Sequence, residues 1–219
     1  MAGRGRHLQQ RSGRYVVIRG GVALALSLTL TVGAWAAALA PTPEQTPGPF
    51  YPSVLPEDHD ADLAVIKGGE GQAQGTLLQL SGRVTDTDGR PVADALVEIW
   101  QADTYGRYLP PRDGAPGRRD ANFQGYGQAK TDATGTYRFR TIRPVPYESR
   151  PPHIHFQITH PRFRPLVTQM YVVGEPGRED PASFGGQRVR EALAVTLRPA
   201  DGEAGALTAR FDIVLVPAR

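Results

Sequence analysis

Residues 76–102 read TLLQLSGRVTDTDGRPVADALVEIWQA, and this stretch carries the pattern that decides the fold. Two apolar runs flank a cluster of turn-forming residues, DTDGRP at 86–91. Asp, Gly and Pro favour turns, and short runs of Leu, Val and Ile between turns are typical of strands. The stretch therefore predicts a strand, a turn and a second strand.

The same pattern of short apolar runs between turn-forming residues continues after this stretch. Further strands are predicted at 136–140, 153–159, 166–173 and 209–216, and only 188–194 has a helical pattern. Many short strands with almost no helix predict an all-β fold, a β-sandwich of mostly antiparallel strands. The connection at 102–126 is long for a compact domain, and loops of that length usually carry function.

The first 40 residues have the layout of an export signal. Arginines open the segment, an uncharged apolar run follows from 20 to 40, and Ala38-Leu39-Ala40 has the A-x-A pattern of a cleavage site. A run of this length can also span a bilayer as an uncleaved anchor. We therefore expect an exported protein, periplasmic or secreted, attached to a membrane only if this segment is retained.

The rest of the chain divides into two parts. Residues 41–75 are rich in Pro, Gly and acidic residues and predict an irregular arm laid over the domain. Residues 76–219 then form the β-sandwich domain that carries the site. One domain is the default for a chain of 219 residues.

Composition excludes several kinds of site. The chain has no cysteine, so disulfides, thiolate metal sites and cysteine nucleophiles are absent. The net charge of +3 comes from the leader, whose five arginines are balanced by no acid, and residues 41–219 carry a net charge of −2. The basic pI is therefore weak support for a nucleic-acid partner, and we expect none.

Two of the five histidines stand one residue apart in RPPHIHF, residues 150–156. In a strand, His153 and His155 project to the same face while Ile154 projects to the other. Two imidazoles placed in this way can reach a single metal ion. Spacing alone leaves a second interpretation open, in which both are surface histidines on an edge strand.

Two tyrosines lie where they can join the histidines. Tyr147 is six residues before His153 on a proline-rich turn, and Tyr108 opens the long connection. A phenol has an ordinary pKa near 10, so a tyrosinate ligand requires a strongly Lewis-acidic ion. Hard oxygen anions with imidazoles and no thiolate suit Fe(III) better than Zn(II) or Cu(I).

With these motifs in place, the sequence resembles the intradiol ring-cleavage dioxygenases, most closely the iron-bearing β subunits of protocatechuate 3,4-dioxygenases. The matching pieces include TPGPFY at 46–51, the opening stretch, GRY at 106–108, RPPHIHFQI at 150–158 and RFDIVLV at 210–216. The resemblance implies Fe(3+) held by Tyr108, Tyr147, His153 and His155. It also implies cleavage of a catechol-type ring between its two hydroxylated carbons, with O2, to a cis,cis-muconate.

Three catalytic roles follow from the same resemblance. Tyr147 is implied as the ligand that leaves and takes a substrate proton, and Arg150 as the group that stabilises negative charge on the substrate. Gln169 is implied as the residue that accompanies Arg150 near the oxygen-binding face. No organic cofactor is implied. The implied partners are a catechol and O2, with a homo-oligomer and an α-type partner both left open.

The sequence departs from the family in ways that leave the substrate open. Only ESRPP separates Tyr147 from the histidines, where the β subunits have a longer insertion. We also expect no helical N-terminal domain of the kind found in catechol 1,2-dioxygenases. An alternative function is a non-catalytic transthyretin-like β-sandwich binding module, which needs none of the four ligand residues together. A hydrolytic zinc enzyme fits less well, because the sequence has no H-E-x-x-H motif.

Overall fold

A computed structural model describes residues 38–218 except 111–112, 115, 149 and 174–185, so the predicted leader lies almost wholly outside the described residues. In the described part, no helix is long and apolar enough to cross a membrane. The elements are β1 Leu77–Asp86, β2 Leu96–Trp100, β3 Tyr126–Lys130, β4 Thr136–Ile142, β5 His153–Thr159, β6 Leu166–Val172, α1 Gln187–Leu193, β7 Ala194–Val195, β8 Arg198–Pro199, β9 Leu207–Arg210 and β10 Ile213–Leu215.

The strands form two sheets, which confirms the predicted all-β sandwich. In the first sheet, β1 pairs antiparallel with β4 and parallel with both β9 and β10, and β8 pairs with β9. The second sheet has the order β3-β2-β5-β6-β7, antiparallel except for the β6–β7 pair. Both sheets are therefore mixed, with more parallel pairing than the sequence predicts.

The opening stretch does form two strands and a turn, but its strands belong to different sheets. β1 pairs with β4, whereas β2 pairs with β3 and β5. Asp86 organises the turn, because its carboxylate accepts hydrogen bonds from the backbone N–H groups of Asp88 and Arg90 at 2.9 and 2.8 Å. The turn thus carries the chain from one layer of the sandwich to the other.

The main core lies between the sheets and takes one face of each central strand. On β5 this face consists of Ile154, Phe156 and Ile158, each with 0% exposure. Each such side chain stabilises the fold by roughly 1.5–3 kcal/mol relative to the same side chain left in water. The prediction that Ile154 is a core residue is confirmed, and the histidines are left on the opposite face.

A second, smaller core covers that opposite face of the second sheet. It is built around Trp100, Tyr108 and Tyr126, with residues of the arm packed against it. The arm is held by backbone hydrogen bonds, among them Gln45 N–H to Val167 O at 2.8 Å. The outer face of this sheet is therefore not open to solvent, and the histidines are enclosed by the arm and the long connection.

The structure differs from the predictions in three local details. The helix predicted at 188–194 is confirmed, and it begins and ends one residue earlier. The single strand expected at 209–216 is divided into β9 and β10 at Phe211 and Asp212, where the exposed carboxylate of Asp212 accepts the backbone N–H of Arg83 at 2.9 Å. β3 was not predicted, since YGQAK contains a glycine and polar residues and lies at a sheet edge.

Candidate active site

The two histidines of β5 are buried side by side. Strand alternation puts both on the outer face of the second sheet, where they are 3% and 2% exposed. The Nε2 atom of His153 lies 3.1 Å from the Nε2 atom of His155. Burial lowers the pKa of His153 to about 4 and that of His155 well below its ordinary value, with His153 adding to the latter. Both imidazoles are therefore neutral, which is the form that binds metals.

A backbone carbonyl fixes the tautomer of His153. Its Nδ1 atom lies 2.7 Å from the carbonyl oxygen of Pro151. A carbonyl can only accept, so Nδ1 carries the proton and Nε2 keeps a lone pair. That lone pair points into the space shared with His155 and Tyr108.

Tyr108 approaches the histidines from the long connection. Its hydroxyl oxygen is 3.4 Å from Nε2 of His153, and its side chain is 2% exposed. Its backbone N–H donates to the Asp113 carboxylate at 3.0 Å, and Arg107 donates to the same carboxylate at 2.7 Å. The buried carboxylate of Asp113 thus fixes the loop that carries Tyr108. Burial, followed by the neighbouring Tyr147, raises the pKa of Tyr108 well above its ordinary value.

Tyr147 completes the group from a tight turn. The backbone N–H of Arg150 donates to the Tyr147 carbonyl at 2.8 Å, and Glu148 within the turn has a φ of 51°. The ring of Tyr147 packs edge-on against Tyr108, with centroids 5.2 Å apart, and lies 5.5 Å from the ring of His153. Unlike Tyr108, it is only partly buried. Burial raises its pKa, and the Arg150 guanidinium opposes that rise.

Arg150 and Gln169 form a polar cluster beside these four residues. Nη2 of Arg150 donates to Oε1 of Gln169 at 2.6 Å, and the hydroxyl of Tyr171 donates to the same oxygen at 3.0 Å. The amide nitrogen of Gln169 donates to the carbonyl oxygen of Thr46 in the arm at 2.8 Å. The structure therefore brings all six predicted site residues together, while their chemical roles remain predictions.

Several residues at the site were not predicted from the sequence. Phe50 of the arm and Tyr171 of β6 both touch predicted ligands, and Trp100 stacks on His155. Strand pairing could have identified two of them. Trp100 pairs with His155 across β2–β5, and Tyr171 pairs with His153 across β5–β6. Phe50 gave no such signal, since its position depends on the irregular path of the arm.

The donor atoms fit a hard, strongly Lewis-acidic ion. Within the described ranges, no group of three or more His, Cys, Asp or Glu side chains is placed to hold a metal. The histidine pair is instead met by two phenols, and a phenol whose pKa is raised by burial ionises only beside a strong positive charge. Two imidazoles and two phenolates with no thiolate suit a ferric ion.

Comparison with known proteins places the chain in a family. The model of a family described as dioxygenase matches residues 46–217. The protocatechuate 3,4-dioxygenase beta chain of Burkholderia cepacia is 40% identical over 171 residues, which cover 73% of this chain and 72% of that protein. The chain belongs to the intradiol ring-cleavage dioxygenases. This confirms the resemblance drawn from the histidine and tyrosine motifs.

Other dioxygenases also match the chain. The hydroxyquinol 1,2-dioxygenase of Corynebacterium glutamicum is 34% identical over 199 residues, which cover 78% of this chain and 62% of that protein. A solved dioxygenase domain, from a dioxygenase carbohydrate-binding fusion of Streptomyces sp. SirexAA-E, superposes with a TM-score of 0.60 at 28% identity. The superposition covers 82% of this chain and 100% of that domain.

Proposed function

We propose that this protein is an Fe(III)-dependent intradiol dioxygenase that cleaves a catechol between its two hydroxylated carbons with O2, giving a cis,cis-muconate. The observation that carries the proposal is that Nε2 of His153 lies 3.4 Å from Oη of Tyr108 and 3.1 Å from Nε2 of His155, with the ring of Tyr147 against that of Tyr108. Relatives named for protocatechuate and hydroxyquinol support a catecholic substrate.

Tyr108, Tyr147, His153 and His155 would hold the ion. When bound, a ferric ion supplies Lewis acidity that lowers the pKa of the coordinated phenols and of the catechol hydroxyls. The protein contributes a dry and rigid setting for this chemistry. Three of the four side chains are at most 3% exposed, so water is largely excluded from the donors.

Tyr147 is suited to move a proton. It is the least buried of the four, and it lies on a four-residue turn rather than on a strand. Its phenolate oxygen would accept the proton of one catechol hydroxyl as the substrate enters, acting as a general base. Tyr108, which is buried and tied to Asp113 through its backbone, would stay in place.

Arg150 is suited to stabilise the negative charge that the substrate acquires. Burial raises the pKa of Tyr147 and of Tyr171, and the nearby guanidinium opposes that rise at both phenols. Gln169 would act on Arg150 rather than on the reacting atoms. Its carbonyl oxygen accepts from Arg150 and its amide nitrogen is engaged by Thr46, so both ends of the amide are already in use.

The decisive experiment loads the purified protein with Fe(III) and records its visible spectrum. We expect one iron per chain and a red-brown colour, because tyrosinate bound to Fe(III) absorbs visible light by charge transfer. Oxygen uptake with catechol, protocatechuate and hydroxyquinol would then rank the substrates, and the ring-opened product identifies intradiol cleavage. A colourless protein with stoichiometric iron would contradict the ligand assignment.

Matched variants separate this function from a transthyretin-like binding module. H153Q and H155Q are expected to lose iron, whereas H160Q, on the loop after β5, is expected to retain both iron and oxygen uptake. A binding module would tolerate all three equally. A histidine pair with no effect on iron content would therefore favour the module.

We also propose that the protein is exported, on the basis of the leader at residues 1–40. Expression of the full chain followed by fractionation would place the activity in the periplasm or medium. The N-terminal sequence of the recovered protein would show whether the segment is removed after Ala40. Activity confined to the cytoplasm with an intact leader would contradict export.

A further inference from the structure

The two predicted histidine ligands are oriented by different means. His153 donates from Nδ1 to the carbonyl of Pro151, at 2.7 Å. His155 has its Nδ1 atom buried, and that atom has no hydrogen-bond partner among the described residues. A histidine that binds a metal is usually held by a hydrogen bond from its second ring nitrogen. The orientation of His155 must therefore come from another contact.

Trp100 provides that contact. The indole ring lies flat on the imidazole of His155, with ring centroids 4.8 Å apart and planes inclined by 7°. The two residues are direct cross-strand partners between β2 and β5, and Trp100 is 0% exposed. A stacked partner restricts the tilt of the imidazole plane. Rotation of the ring within its plane is limited by the edge-on ring of His153, whose centroid lies 4.8 Å away.

The indole is supported by Tyr51, which shares a buried carboxylate with Tyr126. Tyr51 packs edge-on against Trp100 with centroids 5.0 Å apart. Tyr51 and Tyr126 both donate to Oε1 of Glu98, at 2.9 and 2.5 Å, and Gln157 donates to Oε2 at 3.0 Å. Hydrogen bonds to a carboxylate are stronger than neutral ones, so this group forms a rigid support.

The contact depends on the face of the indole rather than on its N–H group. Nε1 of Trp100 is buried and has no hydrogen-bond partner among the described residues. Replacement by phenylalanine therefore removes ring area without breaking a hydrogen bond. Replacement by leucine removes the flat face altogether.

We propose that Trp100 is the positioning residue for His155, and that Glu98 supports Trp100 through Tyr51 and Tyr126. It does for His155 what the Pro151 carbonyl does for His153. The inference rests on the proposed function only in treating His155 as a metal ligand. The stack itself is a property of the metal-free protein and is tested separately.

The first test is the NMR spectrum of the histidine rings in the metal-free protein. Ring current from a stacked indole moves the carbon-bound imidazole protons of His155 upfield. We expect W100L to abolish this shift and W100F to reduce it, because a phenyl ring has a weaker ring current. F139L is the matched control, since it also truncates a core aromatic ring but lies on β4 in the other sheet. It should leave the His155 signals unchanged.

The second test is the affinity for Ga(III), a diamagnetic stand-in for Fe(III). Loss of a group that orients a metal ligand typically lowers affinity by roughly 10- to 100-fold, and we expect W100L to fall in that range. W100F should retain most of the affinity, which would show rescue by a conservative ring. F139L should bind Ga(III) as the unmodified protein does even if its unfolding midpoint falls.

The outcomes distinguish the two proposals. If the unmodified protein binds neither Fe(III) nor Ga(III), the proposed function is wrong, and the ring-current comparison still decides whether Trp100 orients His155. If W100L leaves the His155 signals and the Ga(III) affinity at the level of F139L, the positioning role is wrong. Should W100L fail to fold, W100F decides the matter, because unchanged His155 signals in W100F would overturn the stack.

Discussion

The phenyl ring of Phe50 lies flat against the phenol ring of Tyr108, with centroids 4.5 Å apart and planes inclined by 10°. The same ring meets Tyr147 edge-on at 6.1 Å. One residue of the arm thus contacts both predicted tyrosine ligands. The arm is therefore part of the wall of the site as well as a cover over it.

Replacement of Phe50 by leucine tests this contribution. We expect F50L to lower the free energy of unfolding by about 1 kcal/mol through loss of the stacked pair. The tyrosinate–iron band should also shift, because Tyr108 loses the surface on which it rests. F163L is the control, since Phe163 packs on His160 away from the site. A band shift of equal size in F163L would show that the effect is not local.

Gly106 allows the loop before Tyr108 to pass close to Tyr147. Its φ is 73°, and a Cβ atom placed on it would lie 3.0 Å from Cβ of Tyr147. Alanine at a left-handed position costs roughly 1–2 kcal/mol in any protein. We expect G106A to show that loss of stability and in addition to displace Tyr147, which the visible spectrum of the iron-loaded protein would report.

Gly68 is a matched control for this substitution. It has a similar φ of 80°, and nothing lies within 4 Å of the added Cβ position. G68A should lose comparable stability in urea unfolding with an unchanged spectrum. If G106A and G68A had the same visible spectrum, the close approach of residue 106 to Tyr147 would have no effect on the iron site.

Removal of the positive charge of Arg150 should change the titration of the neighbouring phenols. Burial raises the pKa of Tyr147 and of Tyr171 and the guanidinium opposes that rise, so R150M should raise both pKa values further. Absorbance near the phenolate band in the metal-free protein, followed from pH 8 upward, measures the change. R164M removes an exposed arginine and serves as the control. A downward shift in R150M would contradict the placement of the charge.

The buried histidines should make the metal-free protein sensitive to mild acid. The folded-state pKa of His153 is about 4, and an unfolded histidine has a pKa near 6.5. As pH falls below 6.5, the unfolded chain takes up the proton first, so stability falls until the pH reaches the folded pKa. The loss is about 1.4 kcal/mol per pH unit for each such histidine.

Urea unfolding of the metal-free protein at pH 7.5, 6 and 5 measures this loss. H153Q removes one titrating group and should have a smaller dependence on pH over the same range. Equal dependence in H153Q and the unmodified protein would mean that the acid sensitivity arises elsewhere.

Local rules account for much of the fold and for the centre of the site. The alternation of His153, Ile154 and His155 predicted which side chains share a face, and the structure has that arrangement. The pairing of β1 was not predictable in the same way. Its partners β9 and β10 come from the end of the chain, and no local pattern specifies which strands meet across that separation.

The supporting residues escaped prediction for a similar reason. Glu98 interrupts an apolar strand, and its burial becomes understandable only when Tyr51, Tyr126 and Gln157 supply its hydrogen bonds. Two of those partners come from other strands and one from the arm. A buried carboxylate of this kind depends on tertiary partners, and a single sequence does not reveal them.

The parallel pairing of β1 with β9 and β10 also sets the order in which the chain can fold. The sheet that bears the histidines joins β2 to β3 and β5 to β6, which are neighbours in sequence. The opposing sheet is incomplete until the last strands, Leu207–Arg210 and Ile213–Leu215, have left the ribosome. Non-local pairing of this kind slows folding. A partly synthesised chain can therefore form the β2–β3 and β5–β6 pairs, but it cannot complete the opposing sheet before residues 207–215 have been made.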